Sequence, residues 1–219
     1  MAWYPFVGMV LGGLLAVTNL VLARWLSNEV VTVLLMVLLV AMTRGLHQDG
    51  LADTLDGLAG GRTPADRLTI MRDPRIGAIG ATGLFLSLML RYAAILSLPE
   101  TVRLHALLCM PAMGRWAMVT GAYRASYARA EGGLAAPFLV HLSARQVTSA
   151  TLVVGCLLLW AFGAAPALAV LAIGGMLSRL LTMFCHQVFG GITGDTLGAT
   201  NELVELSFLF LLPLLSRLT

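Results

Sequence analysis

Apolar residues run through this chain in unbroken stretches of about twenty, the length that carries a helix across a bilayer. They do not alternate with polar positions, so helices are predicted and strands are not. The stretches lie at 4–23, 30–46, 76–98, 104–123, 146–162, 167–188 and 199–218, about seven in all. Pro5, Pro99 and Pro166 punctuate them. The second is short for a span unless its helix runs on past Gly50. Between the second and third, the segment 63–75 places Leu68, Ile70 and Met71 to one side, the pattern of a short amphipathic helix at a membrane surface.

Composition turns that pattern into a fold class. Of 219 residues 58% are hydrophobic and 11% are charged, with a mean hydropathy of +0.88; soluble domains carry about 25% charged residues. In hydrocarbon every backbone amide must be satisfied internally, and helices do this within one segment. The expectation is an all-α, polytopic integral membrane protein of one domain, with about seven transmembrane helices and a short amphipathic helix at the cytoplasmic surface. Cys109, Cys156 and Cys185 each sit in an apolar stretch with no CxxC spacing, as buried small hydrophobes do. The start lacks a basic region and an A-x-A site, so no cleaved signal peptide is expected.

Charge adds an orientation. All basic residues are Arg, and the net charge of +3 is too weak to suggest nucleic acid. Segments 44–75, 124–145 and 189–200 fall on one side of a seven-span chain and carry Arg62, Arg67, Arg72, Arg75, Arg124, Arg129 and Arg145. The other side holds Arg24, Arg103 and Arg217. The positive-inside rule makes the crowded side cytoplasmic and puts the amino terminus there too.

That side also holds the chemistry. Asp49, Asp53 and Asp56 recur at i, i+4 and i+7, which stacks three carboxylates on one helix face. Like charges so placed repel, and a hard divalent cation such as Mg²⁺ relieves them while bridging to substrate phosphate. A hydrated cap on the second span is the plainer alternative. Gly50, Gly57, Gly60 and Gly61 would let backbone approach a phosphate. His47, just ahead of the acids, is a candidate base, a ligand, or an interfacial histidine. Arg72 and Arg75 are candidate phosphate contacts, with Arg62 and Arg67 weaker ones.

Arg91, Arg115 and Arg179 interrupt apolar spans, and an intramembrane charge is a functional candidate by default. Arg115 and Arg179 fall in the cytoplasmic halves of their spans, where guanidinium forks could meet a diphosphate beside the acids. Arg91 falls toward the far side and is expected to snorkel there. In the last loop Asp195 stands in a glycine-rich turn, a candidate metal or substrate contact. Asn201, Glu202 and Glu205 open the final helix; Asn201 is a candidate substrate contact, and the glutamates read as helix-start capping.

HQDGLADTLDGLAGG, MRDPRIGAIG, GRWAMV, YARAEGG and GGITGDTLGATNELVE, in that order, resemble the signature segments of the cobalamin synthase family, the adenosylcobinamide-GDP ribazoletransferases. The resemblance implies an inner-membrane, Mg²⁺-dependent enzyme. Its substrates would be adenosylcobinamide-GDP and α-ribazole or its 5′-phosphate, and it would release GMP. Carried onto this chain, Asp49, Asp53 and Asp56 would hold Mg²⁺ on the diphosphate. Arg115, Arg179 and Arg72 or Arg75 would offset charge as GMP leaves. His47 or an aspartate, Asp53 foremost, would take the proton of the ribose hydroxyl. Two departures stand out. Family members usually begin with a further short helix ahead of the part that 3–8 resembles. Where they often have basic residues before G-G-x-T-G-D, this chain has Cys185, His186 and Gln187, so no phosphate contact is expected there. A homo-oligomer is compatible with the sequence. Rival readings are a CDP-alcohol phosphotransferase-like or prenyltransferase-like enzyme, and a cation or cobinamide transporter. The one-sided gathering of polar groups and the lack of an internal repeat disfavour transport.

Overall fold

The computed structural model describes residues 1–133 and 135–215, and among them the regular elements are all helices. The long helices are α1 (Tyr4–Leu22), α2 (Asn28–Thr43), α3 (Leu46–Gly60), and, after the short α4 (Pro64–Ile70), α5 (Ala78–Leu96) and α6 (Glu100–Ala122). A second short helix, α7 (Ala136–Val140), leads to α8 (Ala144–Phe162), α9 (Ala164–Phe189) and α10 (Gly194–Leu215). The expected ends agree with these to within a few residues for most spans. The last expected span runs to 218, and its final residues, with Arg217, lie outside the described residues.

Among the described residues five helices are long and apolar enough to cross a membrane: α1, α5, α8, α9 and α10. The α2–α3 pair qualifies only jointly and is bent by 86°. The bend has a local cause. Arg44 and Gly45 both take left-handed backbone, with φ of 54° and 67°. Glycine does this freely, whereas Arg44 carries a cost of roughly 1–2 kcal/mol. The second span therefore does not run on past Gly50 as one straight helix; the acids ride on a separate helix that turns away.

The fourth expected span, α6, has 23 residues but falls short of the apolarity of those five. Its position explains this. It is the most enclosed helix, packed against α1, α8, α9 and α10. A helix sheathed by its neighbours can carry Arg103 and Arg115 where a lipid-facing one cannot. Gly8 and Gly12 let α1 lie against the α6 backbone at Leu108, Pro111 and Ala112 with no room for a Cβ. Arg103, expected to mark the outer surface, is buried. It donates to Asn19 Oδ1 (3.0 Å), the Ile95 carbonyl (3.1 Å) and Thr32 Oγ1 (2.8 Å), tying α1, α2, α5 and α6 together. Cys109 and Cys185 are buried as expected, but Cys156 is exposed on α8.

The polar segments meet at one end of the bundle. The amphipathic stretch forms α4, started by a capping box in which Thr63 and Asp66 each accept the other's backbone N–H (3.0 and 3.2 Å). The stretch after Ile70 is irregular, so the helix is shorter than expected. Arg67 bridges the Gly61 carbonyl (3.0 Å) and the Val188 carbonyl at the end of α9 (2.9 Å). The α6–α8 connection pairs with the α9–α10 turn through Ala128 N–H to Ile192 O and Ile192 N–H to Ser126 O, both 2.9 Å. Segments 44–75, 124–145 and 189–200 thus share one end, as counting spans predicts. Single cysteines replacing Arg62 and Glu131, on a background freed of native cysteines, should react with an impermeant thiol reagent from one side of the membrane only. Cysteines at Ser27 and Glu100 should react only from the other. Labelling of Arg62→Cys and Ser27→Cys from the same side would break this arrangement.

Candidate active site

The site begins where α3 crosses α10. A Cβ on Gly50 would collide with the Asp195 backbone, and Gly198 touches His47 and Gly50. These small residues bring the start of α3 against the first turns of α10. Thr193 starts α10: its hydroxyl accepts the Thr196 N–H (3.2 Å), while Thr196 Oγ1 accepts the Thr193 N–H (2.8 Å).

Beneath the crossing lies a buried ionic network. Arg91 of α5 is 2% exposed and pairs with Glu202 (2.7 Å) and Glu205 (2.6 Å) of α10. Glu205 also pairs with Arg115 of α6 (2.5 Å) and accepts from Asn201 Nδ2 (3.0 Å). Glu202 accepts from Gln48 Nε2 of α3 (3.0 Å). Two cations meet two anions, so the network is neutral, and it joins four helices. The snorkelling expected of Arg91 and the capping expected of Glu202 and Glu205 are therefore corrected: all three face inward. The signal was present, because two glutamates one turn apart are followed only by apolar and hydroxyl residues as far as Leu215.

The acids sit above this network. Asp53 is half-buried, with Asp49, Asp195 and Asp56 acting on it as like charges and Arg129 alone opposing them. Arg129 pairs with Asp195 at 2.9 Å. Asp56 behaves differently from its neighbours. Its two oxygens accept the N–H groups of Gly77 and Gly80, both at 2.7 Å, and so cap the start of α5. Both glycines are needed, since a Cβ on either would strike that carboxylate. The helix face expected of the acids is real, but Asp56 is committed to α5, while Asp195 joins the group from α10.

Among the described residues no three His, Cys, Asp or Glu side chains stand together as a ready metal cage. Magnesium does not require one, since it binds through one or two carboxylates and keeps water and substrate phosphate as further ligands. An excess of carboxylate over guanidinium, in a half-buried setting, has the donor chemistry such an ion needs.

A cavity of about 200 Å³ opens beside the acids, lined by His47 and Asp49 of α3, Tyr127 and Arg129 of the α6–α8 connection, and Asp195 of α10. Tyr4, Met118 and Phe138 form much of its apolar side. His47 is buried on this wall, and Arg115 Nη2 lies 3.4 Å from its Nδ1. A guanidinium only donates, so this contact keeps Nδ1 an acceptor and leaves the proton on Nε2.

The remaining expected contacts divide by placement. Arg115 and Asn201 belong to the buried network, where Glu205 already neutralises Arg115. Arg179 does not reach the acids: it is exposed on the outward face of α9 near Met176, Leu180 and Met183. Arg72 pairs with Glu131 at the surface and Arg75 with Asp73 (2.7 Å). The Arg75 hydrogen bonds hold the Asp73 carboxyl down at about 2. Arg129, read from sequence only as a topology charge, is the guanidinium nearest the acids.

A match to the cobalamin-5-phosphate synthase family covers residues 1–213. The chain belongs to that family. It is 40% identical over 213 residues to an adenosylcobinamide-GDP ribazoletransferase of Desulforamulus reducens, covering 97% of this chain and 85% of the relative. A protein of the same description from Syntrophobacter fumaroxidans is 38% identical over 210 residues, covering 95% and 84%. One from Geotalea daltonii is 37% identical over 211 residues, covering 94% and 82%. No solved structure matches the chain. In this member of the cobalamin synthase family, then, the resembling segments are those that meet at the polar end of the bundle.

Breaking the network should unfold this end first. Glu205→Ala leaves Arg115 buried without its carboxylate and Arg91 with half its pairing, a loss of about 3–5 kcal/mol. The detergent-solubilised variant should show a clearly lower thermal midpoint than the parent. Arg179→Ala should shift it little. An unchanged midpoint in Glu205→Ala would mean the network does not hold the helices together.

Proposed function

We propose that this chain joins adenosylcobinamide-GDP to α-ribazole, or to its 5′-phosphate, with release of GMP, the activity for which its relatives are named. The observation that carries the chemistry is the meeting of Asp49, Asp53 and Asp195 beside an open cavity, with Arg129 as the lone opposing charge. That end of the bundle faces the cytoplasm of a prokaryotic inner membrane on the count of arginines in its connections.

The ribazole hydroxyl attacks the phosphorus attached to cobinamide. A new P–O bond forms, the bond to GMP breaks, and the hydroxyl proton passes to a base. His47 Nδ1 is engaged by Arg115, so a carboxylate oxygen of Asp53 is the favoured acceptor, with His47 orienting the wall beside it. One or two of the carboxylates Asp49, Asp53 and Asp195 would hold a magnesium ion, which would supply charge neutralisation on the diphosphate. Asp56 contributes by fixing α3 to α5. Arg129 takes the phosphate-facing role that the sequence suggested for Arg115 and Arg179; Arg72 and Arg75 lie further out and would meet the departing nucleotide. Among the described residues the cavity is lined by no cysteine or lysine side chain, in keeping with direct transfer.

The purified protein, given adenosylcobinamide-GDP, α-ribazole phosphate and Mg²⁺, should form the cobalamin product and GMP in equal amounts. Asp53→Asn should lower this rate by roughly 10²-fold or more, as removal of a preorganised electrostatic group does. Asp66→Asn, on the surface of α4, should not. GMP released in a stoichiometric burst without ribazole would contradict direct transfer. Full activity in Asp53→Asn would remove the carboxylates from the mechanism.

A further inference from the structure

The cavity has two unlike walls, and the difference selects which part of which substrate enters. His47, Asp49, Arg129 and Asp195 gather on one side. On the other, the rings of Tyr4 and Phe138 meet edge to face, with centroids 6.0 Å apart and planes at 62°, and Met118 lies beside them. Phe138 remains 45% exposed, so the aromatic wall is not filled by the protein's own side chains.

We infer that this wall is the seat of the ribazole base, which lies against the paired rings of Tyr4 and Phe138, with its ribose directed at Asp49 and Asp195. The inference rests on the function proposed above. Two aromatic bases compete for such a slot, since the other substrate carries guanine. Guanine bears amide and amino groups along one edge, and against Phe138 and Met118 these would lose water without a matching set of partners, the Tyr4 hydroxyl being the one polar group on that side. The base of ribazole is a fused ring carrying methyl groups and no amide, so an apolar aromatic wall suits it. Size agrees: about 200 Å³ is the scale of one nucleoside, far below that of a corrinoid. The corrin ring and the guanosine must therefore lie outside this cavity, with only the diphosphate between them approaching the acids. Tyr4 and Phe138 become specificity-determining residues for the base.

Steady-state kinetics with each substrate varied in turn test this. Phe138→Ala and Tyr4→Ala should each raise the KM for α-ribazole phosphate by roughly tenfold or more, the scale of a lost apolar pocket contact. The KM for adenosylcobinamide-GDP should stay unchanged. Phe138→Leu and Tyr4→Phe, which keep the wall apolar, should give smaller increases and guard against misfolding of the alanine variants. A raised KM for adenosylcobinamide-GDP with α-ribazole phosphate unaffected would overturn the assignment in favour of guanine. Unchanged constants for both substrates would overturn it outright. A parent protein with no turnover would instead refute the function itself, a result the variants cannot mimic.

Discussion

Two arginines and two glutamates, closed away from water between four helices, hold the polar end of this protein together. Burying such charges costs several kcal/mol for each ion, and the attraction between them returns that cost only when the geometry is tight. Here it is: Arg91 spans Glu202 and Glu205, and Arg115 completes Glu205. The network fixes α5, α6 and α10 relative to one another, and through Gln48 it fixes α3. It adds a polar tie to the close packing of Gly50 and Gly198 where α3 crosses α10.

From that clamp the remaining features follow. The turn at Arg44 and Gly45 sends α3 across the end of the bundle, and Gly50 allows it to touch the Asp195 backbone. Carboxylates from two distant segments then share one space, and their mutual repulsion is opposed by Arg129. The α6–α8 connection is pinned to the α9–α10 turn by two backbone hydrogen bonds, and it delivers Arg129 to Asp195 from above. The buried pairs thus fix how the helices meet, while the groups above them stay partly exposed for chemistry.

Much of this was legible in the chain. Helix positions follow from apolar run length, the shared end from counting spans, and the carboxylate face from the spacing of Asp49, Asp53 and Asp56. What the sequence could not supply is which polar groups already have partners. Arg115 and Arg179 look equivalent as isolated arginines in apolar helices, yet one faces Glu205 and the other faces outward. Asp56 looks like its neighbours until the Gly77 and Gly80 amides are found on its oxygens. Depth along a span does not give the face, so Arg91 reads as a surface arginine, whereas its partners lie inside, more than a hundred residues away in the chain. The apolarity of α6 misleads in a related way, since a helix sheathed by others need not resemble one in lipid.

On the function proposed above, α3 and α10 would contribute to one cation site. Manganese, a paramagnetic stand-in for magnesium with the same preference for oxygen ligands, reports this directly. Titrating the purified protein with Mn²⁺ and following free ion by electron paramagnetic resonance should reveal a site weakened both by Asp53→Asn on α3 and by Asp195→Asn on α10. Binding that is lost in Asp53→Asn but untouched in Asp195→Asn would contradict the shared site, as would binding indifferent to both.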